Sequence, residues 1–217
     1  MNASSTPVAP PRGKPRGRSV RSREEKYDER RTQLAESALA TLGELGYART
    51  SLREIAQNSE FTHGVVHYYF ASKIELIVHC VRYYKAKCVT RYDDVVALST
   101  TAEELAERFA DKLVETLADE APMHRLWYDL RTQSMFDVEL RDDVMEIDKT
   151  LEAMIWRVLT RYSELAGRPV CFDSPTAYAL LDGVFEKAVL AHLAERPEAL
   201  VDLRRRALGV LPVLLAT

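Results

Sequence analysis

Residues 47–76, YARTSLREIAQNSEFTHGVVHYYFASKIEL, contain three helix starts within twenty-two residues. Capping-box patterns occur at 51–54 and 72–75, where a serine hydroxyl accepts from the amide three residues on while that residue's carboxylate reaches back. Thr62 lies between them and is a third capping residue. The helices are therefore predicted over 52–58, over 62–67 and from 73 onward. Two short helices joined by a tight turn are typical of a helix-turn-helix unit, which offers one helix to the major groove of DNA.

A longer helix precedes this stretch, from Glu24 to a predicted stop with positive φ at Gly46. Its apolar positions recur at helical spacing: Leu34, Ala38, Leu42 and Leu45. After Ser72, successive amphipathic helices are predicted near 73–97, 102–119, 122–135, 138–166, 175–195 and 198–215. Ser174 is predicted to cap the fifth of these, with Pro175 in its first turn. Because no strand pattern competes with these helices, the fold class is all-α.

The first 23 residues differ in composition from the rest of the chain. They are rich in Pro, Gly, Ser and Arg, and they carry six basic side chains and no acidic one. We expect a disordered basic tail over 1–23, which either contacts DNA or is a solvated leader. The predicted domains are a helix-turn-helix domain over 24–71 and a helical ligand-binding and dimerisation domain over 72–217.

Several function classes lack the sequence patterns that they need. No apolar run is long enough to cross a membrane, and the tail lacks the apolar region of a secretory signal, so we expect a cytoplasmic protein without a membrane partner. Cys80, Cys88 and Cys171 form no Cys-x-x-Cys pair, which predicts reduced thiols. No catalytic spacing is present, and neither a metal nor a cofactor is expected. His63 and His67 have zinc-ligand spacing, but no third ligand is identifiable.

The runs YARTSLREIA (47–56), FTHGVVHYYF (61–70) and SKIEL (72–76) resemble the DNA-binding domain of the tetracycline-repressor (TetR) family. The resemblance extends from Leu34 to His79, and further on an Asp182-Gly183 pair is similar to one common in that family. The sequence departs from the family at Glu60, where a turn glycine is usual, and at His67, where tyrosine is frequent. The resemblance implies an amino-terminal helix-turn-helix domain followed by a helical domain that binds a ligand and forms a dimer.

In a helix-turn-helix, the amino-terminal residues of the second helix face base edges. Val65 offers an apolar surface to a thymine methyl, and either histidine could donate to a purine acceptor. The resemblance assigns phosphate contacts to Ser51, Tyr68 and Lys73 and a base contact to Arg53, for which simple solvation is the alternative. Val66, Tyr69 and Phe70 are predicted to be packing residues. The full predicted DNA-binding set is Ser51, Arg53, Thr62, His63, Gly64, Val65, His67, Tyr68 and Lys73.

The last two helices are apolar on more than one side. A helix that is apolar on several faces is buried on several faces, and in the family these helices form the dimer interface. The alternative is a core within one chain. The residues concerned are Tyr178, Leu181, Phe185, Ala188, Val189, Leu200, Leu203, Ala207, Val210, Leu211 and Leu214.

The resemblance also implies a cavity for an unknown small-molecule effector among the aromatic residues of the middle helices. Arg131 lies one turn from Trp127 and could meet an anionic group, although an ion pair with Asp129 or Asp137 is the favoured interpretation. The predicted ligand-binding set is Trp127, Tyr128, Arg131, Met135, Trp156, Phe109 and Phe185. The expected function is a repressor that binds a palindromic operator in double-stranded DNA as a homodimer and is released by the effector. An activator would use the same residues.

Overall fold

The computed structural model describes residues 22–216, and over these residues the chain is all-α, as the periodicity predicts. An isolated antiparallel bridge joins Val170, which lies between the helices ending at Ala166 and beginning at Ser174, to Leu215 near the end of the chain. The helices are α1 (Arg23–Arg49), α2 (Leu52–Gln57), α3 (His63–Tyr69), α4 (Lys73–Cys88), α5 (Asp93–Leu98), α6 (Ala102–Ser134), α7 (Val138–Ala166), α8 (Ser174–Leu193), α9 (Ala199–Val210) and a 3₁₀ turn, Leu211–Leu214.

Helix α1 begins inside the segment that the sequence assigned to the basic tail. Ser22 is its N-cap: the hydroxyl accepts from the Glu25 amide at 3.0 Å, and the Glu25 carboxylate accepts from the Ser22 amide at 2.7 Å. Arg23 is therefore helical. The rest of the predicted tail, residues 1–21, lies outside the described residues, so its DNA contact stays a prediction.

Helices α1, α2 and α3 form the predicted helix-turn-helix around a shared core. Gly46 has φ 74°, as predicted, and interrupts the helical geometry of α1. Both bonds of the capping box at Ser51 are present, at 3.2 and 2.8 Å, and the Thr62 hydroxyl accepts from the Val65 amide at 3.4 Å. The buried core of this unit includes Leu34, Ala38, Leu42, Ile55, Phe61, Val66 and Phe70.

Two predicted caps differ in detail from the structure. The Ser72 hydroxyl accepts from the Glu75 amide at 3.1 Å, but the Glu75 carboxylate accepts from the Ala71 amide and from Arg31 instead of returning to Ser72. The N-cap of α8 is Asp173 rather than Ser174, because the Asp173 carboxylate accepts from the Thr176 amide at 3.0 Å.

The turn at Glu60 needs no glycine. Among the described residues, the non-glycine with positive φ is Glu195, at 53°, so Glu60 adopts an ordinary conformation. The departure from the family pattern at this position therefore carries no left-handed strain.

Three of the predicted helices are divided or merged in the structure. The helix predicted over 73–97 divides into α4 and α5, and Arg157 donates to the Val89 carbonyl where α4 ends. The two helices predicted over 102–119 and 122–135 are the single helix α6. Pro122 removes one backbone donor and displaces Glu120 to φ −127°, which kinks α6 without ending it.

Helix α6 is the centre of the carboxyl-terminal bundle and packs against α1, α7, α8 and α9. Helix α7 has the predicted bounds and ends at Gly167 with φ 66°. Helix α4 packs on both α1 and α7, and its contacts with α1 extend from Glu75, which pairs with Arg31, to Lys87, which pairs with Glu36. Because α4 and α6 both contact α1, each joins the bundle to the helix-turn-helix.

Candidate nucleic-acid interface and enclosed cavity

Helix α3 presents one continuous exposed face. Val66 and Phe70 are fully buried and fix its opposite side, and Val65 is half-buried between the two sides. The predicted core role of Val66 is therefore confirmed by its burial. The exposed side carries Thr62, His63, Gly64, His67 and Tyr68. The structure thus brings the predicted DNA-facing residues of this helix together on the surface.

The two histidines of α3 contact each other. Their Nε2 atoms are 3.2 Å apart, so one nitrogen carries the proton and the other accepts. In the described residues no group of three His, Cys, Asp or Glu side chains could hold a metal ion around this pair. What the pair can do is donate and accept hydrogen bonds at the surface.

Gly64 is open to solvent. An added Cβ would meet no heavy atom within 4 Å, so internal packing does not require a glycine at this position. The missing side chain leaves room for another molecule to approach the backbone of α3 closely.

The other predicted DNA-binding residues surround α3. Ser51 and Arg53 are exposed at the start of α2, and Arg53 forms no ion pair with any residue of 22–216. Tyr68 is 66% exposed, and its ring lies 6.3 Å from that of Tyr27. Lys73 is half-buried with its Nζ 4.3 Å from the Tyr47 ring centre, and burial lowers its pKa.

A cavity lies among α4, α6, α7 and α8 and is partly open to solvent. Of the predicted ligand-binding residues, it is lined by Phe109, Trp127, Tyr128 and Phe185. Further apolar lining comes from Tyr92, Leu113, Leu151, Met154, Ile155 and Leu181. The space and its apolar walls suit a small organic molecule.

Three predicted ligand-binding residues do not line this cavity. Met135 is 73% exposed because α6 ends at Ser134, just before it. Trp156 is half-buried on α7, whereas its neighbour Ile155 faces the cavity. Arg131 does not line the cavity, but it contacts Asp182, which does.

Arg131 forms its ion pair with a different acid from those expected. Its Nη1 lies 2.5 Å from Asp182, and its Nε lies 3.7 Å from Asp148. The favoured pairing with Asp129 or Asp137 is therefore wrong. Asp129 instead accepts from the Tyr47 amide at 2.7 Å, and Asp137 caps α7 and accepts from the Tyr47 hydroxyl. The sequence could not reveal these partners because they lie on other helices.

The lining also includes polar residues that the sequence reasoning missed: Lys85, Cys88, Arg91, Thr116, His124, Tyr178 and Asp182. The sequence does contain one indication that Lys85 is buried. It continues the apolar stripe of α4 formed by Ile77 and Val81, which are buried. A lysine at such a position either extends to the surface or is enclosed.

Lys85 is enclosed. Only 5% of it is exposed, and its Nζ lies 5.0 Å from the Trp127 ring centre and 5.4 Å from that of Tyr84. Burial lowers its pKa from 10.5 to about 8. The nearby His124 is also buried, and burial together with the positive charge of Lys85 lowers its pKa to about 3, so its ring is neutral.

Two nitrogen atoms at the cavity wall lack partners. His124 Nε2 and Trp127 Nε1 are buried, and neither forms a hydrogen bond within residues 22–216. The Phe185 ring contacts His124 edge-on at 4.8 Å. Tyr128 is satisfied, since its hydroxyl donates to Asp182 at 3.0 Å, and burial followed by that carboxylate raises its pKa.

The expected interface residues of the last two helices are mostly core residues of this chain. Buried within it are Tyr178, Leu181, Ala188, Val189, Leu203, Ala207, Leu211 and Leu214, while Phe185, Leu200 and Val210 are half-buried. A different apolar set is exposed on these helices: Leu180, Leu190 and Leu193 on α8 and Val201 on α9. Gly183 lies among them, and an added Cβ there would meet open space.

No helix among residues 22–216 is long and apolar enough to cross a membrane.

Comparison with solved structures identifies the fold. The FadR regulator of Bacillus subtilis in complex with stearoyl-CoA is 20% identical, with a TM-score of 0.68 over 83% of this chain and 96% of that chain. A TetR transcription regulator from Haloarcula marismortui is 19% identical, with a TM-score of 0.70 over 87% of this chain and 100% of that one. A regulator from Saccharomonospora viridis in complex with choline is 17% identical, with a TM-score of 0.64 over 88% and 99%.

Comparison with curated protein sequences finds no match. The family described as bacterial regulatory proteins, tetR family, matches residues 34–80, which run from the core of α1 through α2 and α3 into α4. That match covers the exposed face of α3, and the solved structures share the arrangement of the whole described chain. Residues 34–80 therefore match the amino-terminal helix-turn-helix domain of the tetR family of bacterial regulatory proteins, and the described chain has the all-α fold of the solved TetR-type regulators.

Proposed function

We propose that the protein is a repressor that binds a palindromic operator as a homodimer and releases it when a small molecule occupies the cavity. In this proposal residues 24–71 bind DNA, and residues 72–217 bind the effector and form the dimer. The observation that carries it is the face of α3, where small, polar and aromatic side chains are exposed over a buried Val66 and Phe70.

For DNA recognition, α3 enters the major groove with Thr62, His63 and Gly64 nearest the bases. The histidine pair offers a donor and an acceptor, and the open Gly64 allows close approach. Tyr68 and Lys73 contact phosphates on one flank, and Ser51 does so on the other. Arg53 is unpaired within the described chain and is therefore free to reach a base.

For dimerisation, the exposed apolar face of α8 and α9 binds the same face of a second copy. Leu190 and Val201 are each 70% exposed, and Leu180 and Leu193 extend the patch. Exposed large apolar side chains that cluster on neighbouring helices are typical of an interaction surface. Gly183 lies in it without a neighbour, so the backbone of a partner helix is able to pack closely there. A twofold-symmetric dimer explains why the operator is palindromic.

For ligand response, α6 connects the cavity to α1. His124, Trp127 and Tyr128 face the cavity, whereas Arg125 and Asp129, on the same turns of α6, contact α1. Arg125 donates to the carbonyl oxygens of Gly43 and Glu44, and Asp129 accepts from the Tyr47 amide. A ligand that shifts α6 therefore moves the end of α1 and with it the spacing of the two α3 helices.

Solved structures of the same fold support a small-molecule ligand for this protein. One is described in complex with stearoyl-CoA and another in complex with choline. These ligands differ widely in size and charge, so they support the presence of an effector and not its identity.

The test is a selection of DNA fragments from a random pool by the full-length protein. We expect enrichment of one palindrome whose half-sites are separated by about one DNA turn, roughly 34 to 36 Å, or a multiple of it. The matched control is the same selection with His63→Ala. Enrichment of no sequence, or of the same sequence by both proteins, would contradict the assignment of α3 as the reading helix.

A further inference from the structure

The charges at the wall of the cavity do not balance. Three charged residues line it: Lys85, Arg91 and Asp182. Arg91 lies 2.5 Å from Glu120, and Asp182 lies 2.5 Å from Arg131, so each of these two has an opposite charge in contact. Lys85 has none, since no carboxylate among residues 22–216 lies within 4 Å of its Nζ. One positive charge is therefore left without a counter-ion.

The surroundings of Lys85 offer it little compensation. Its Nζ faces the rings of Tyr84 and Trp127, which attract a cation weakly compared with a carboxylate. The carboxylates whose charges act on Lys85, those of Asp182 and Glu120, are already engaged by arginines and by the hydroxyls of Tyr128 and Tyr84. A buried charge is normally paired, and an exception marks a site that another group completes.

A second unpaired group lies beside it. Trp127 Nε1 is buried without a hydrogen-bond partner, and an indole nitrogen is able only to donate. Lys85 is likewise a donor only. Both groups therefore need an acceptor, and a negatively charged acceptor would also neutralise Lys85. The remaining lining is mainly apolar and includes Phe109, Leu113 and Ile155.

We propose that the effector is a hydrophobic monocarboxylic acid, whose carboxylate pairs with Lys85 and accepts from Trp127 while its apolar body fills the space between α6, α7 and α8. This inference rests on the proposed function, because it assigns the cavity to the effector. Beyond that function, it assigns a chemical class to the ligand and identifies Lys85 and Trp127 as the residues that bind its carboxylate.

The test measures binding to the full-length protein without DNA, so that it does not depend on the regulatory proposal. The probes are 4-phenylbutyrate and the alkanoates from hexanoate to dodecanoate, each compared with its neutral primary amide by calorimetry at pH 7. An acid should bind roughly 10- to 100-fold more tightly than its amide, as expected for a charge-assisted hydrogen bond. Equal affinity of every acid and its amide, or binding of none of them, overturns the proposal.

Substitutions then identify the residues that cause the tighter binding of acids than of amides. Lys85→Met keeps the apolar stem and should reduce the acid-to-amide ratio to about 1, whereas Lys149→Met, at an exposed lysine on α7, should leave it unchanged. Trp127→Phe should reduce the ratio a few-fold, since it removes one donor and keeps a ring. An undiminished acid preference in Lys85→Met overturns the assignment of the site.

Different outcomes would contradict the acid site and the proposed regulation of operator binding. If acids bind at Lys85 but do not change the affinity for the operator, the acid site stands and its coupling to DNA does not. If other compounds release the operator while no acid is preferred, the cavity keeps its regulatory role and the acid site is wrong.

Discussion

The face of α3 and the cavity of the carboxyl-terminal bundle handle polar groups in opposite ways. On α3, the polar side chains are exposed, and their partners are water and each other, so they cost the fold little. In the cavity, Lys85 and Trp127 Nε1 are enclosed without a hydrogen-bond acceptor. The cavity wall, unlike the face of α3, therefore carries polar groups whose burial lowers the stability of the fold.

The largest effect on operator affinity is expected from separating the two subunits of the proposed dimer. Leu190→Asp places a charge in the exposed apolar face of α8 and should convert the dimer to a monomer. Loss of bivalent binding should weaken operator affinity by about 10²- to 10⁴-fold. The control is Val138→Asp, because Val138 is equally exposed, at 70%, but lies at the start of α7. Sedimentation and operator titration check both variants, and a dimeric Leu190→Asp protein would place the interface elsewhere.

On the α3 side, loss of a base contact and loss of a phosphate contact should have different effects on DNA binding. Arg53→Ala and His63→Ala should each remove about 1 to 3 kcal/mol of discrimination at defined operator positions. Lys73→Ala and Tyr68→Phe should weaken binding to operator and random DNA alike, because phosphates carry no sequence information. Competition titrations with operator and scrambled DNA measure both effects. Identical discrimination in all four variants would show that none of these residues reads bases.

On the cavity side, removing the unpaired charge should stabilise the free protein. The pKa of Lys85 falls from 10.5 to about 8 on burial, so below pH 8 both folded and unfolded chains carry the charge and the folded chain bears its full cost. Lys85→Met should therefore raise the free energy of unfolding by about 1 to 3 kcal/mol at pH 7.

That gain should shrink as pH rises from about 8 toward 10.5, because over this range the folded wild-type protein loses the proton while the unfolded chain keeps it. Denaturant titrations at pH 7 and pH 10 measure the change, with Lys149→Met as the control for lysines on the surface. A gain that is absent at pH 7, or is the same at both pH values, would show that Lys85 bears no burial cost.

The smallest effect is expected at the junction between the two regions. Asp129→Ala leaves the Tyr47 amide without its acceptor and should cost about 1 kcal/mol of stability. It should also reduce the effect of a bound ligand on operator affinity while leaving ligand binding itself intact. Asp129→Asn keeps an acceptor oxygen and serves as the matched control. Full ligand response in Asp129→Ala would remove this contact from the coupling path.

The two regions also differed in how far the sequence predicted them. The residues of α3 could be placed because Ser51 and Thr62 are local capping signals, and one turn of helix then decides which side chains share a face. The cavity depends on contacts between helices far apart in sequence. The pairing of Arg131 with Asp182 and the enclosure of Lys85 by Trp127 follow from packing that no local pattern encodes.

The same distinction explains the errors in the last two helices. Their periodicity showed apolar residues on several sides but could not say which side meets the rest of the chain. Leu181 and Leu203 are internal, while Leu190 and Val201 are exposed. The sequence places Met135 at the end of a helix predicted over 122–135, whereas α6 ends at Ser134 and Met135 is exposed.

The most direct measurement of the central claim is the affinity of the full-length protein for its selected operator, compared with the same DNA in which one half-site is scrambled. If two α3 helices read two half-sites, the intact palindrome should bind at least about 10²-fold more tightly. His63→Ala should reduce that ratio by weakening each half-site contact. Equal affinity of wild-type protein for the two DNA molecules would contradict recognition by a dimer through α3.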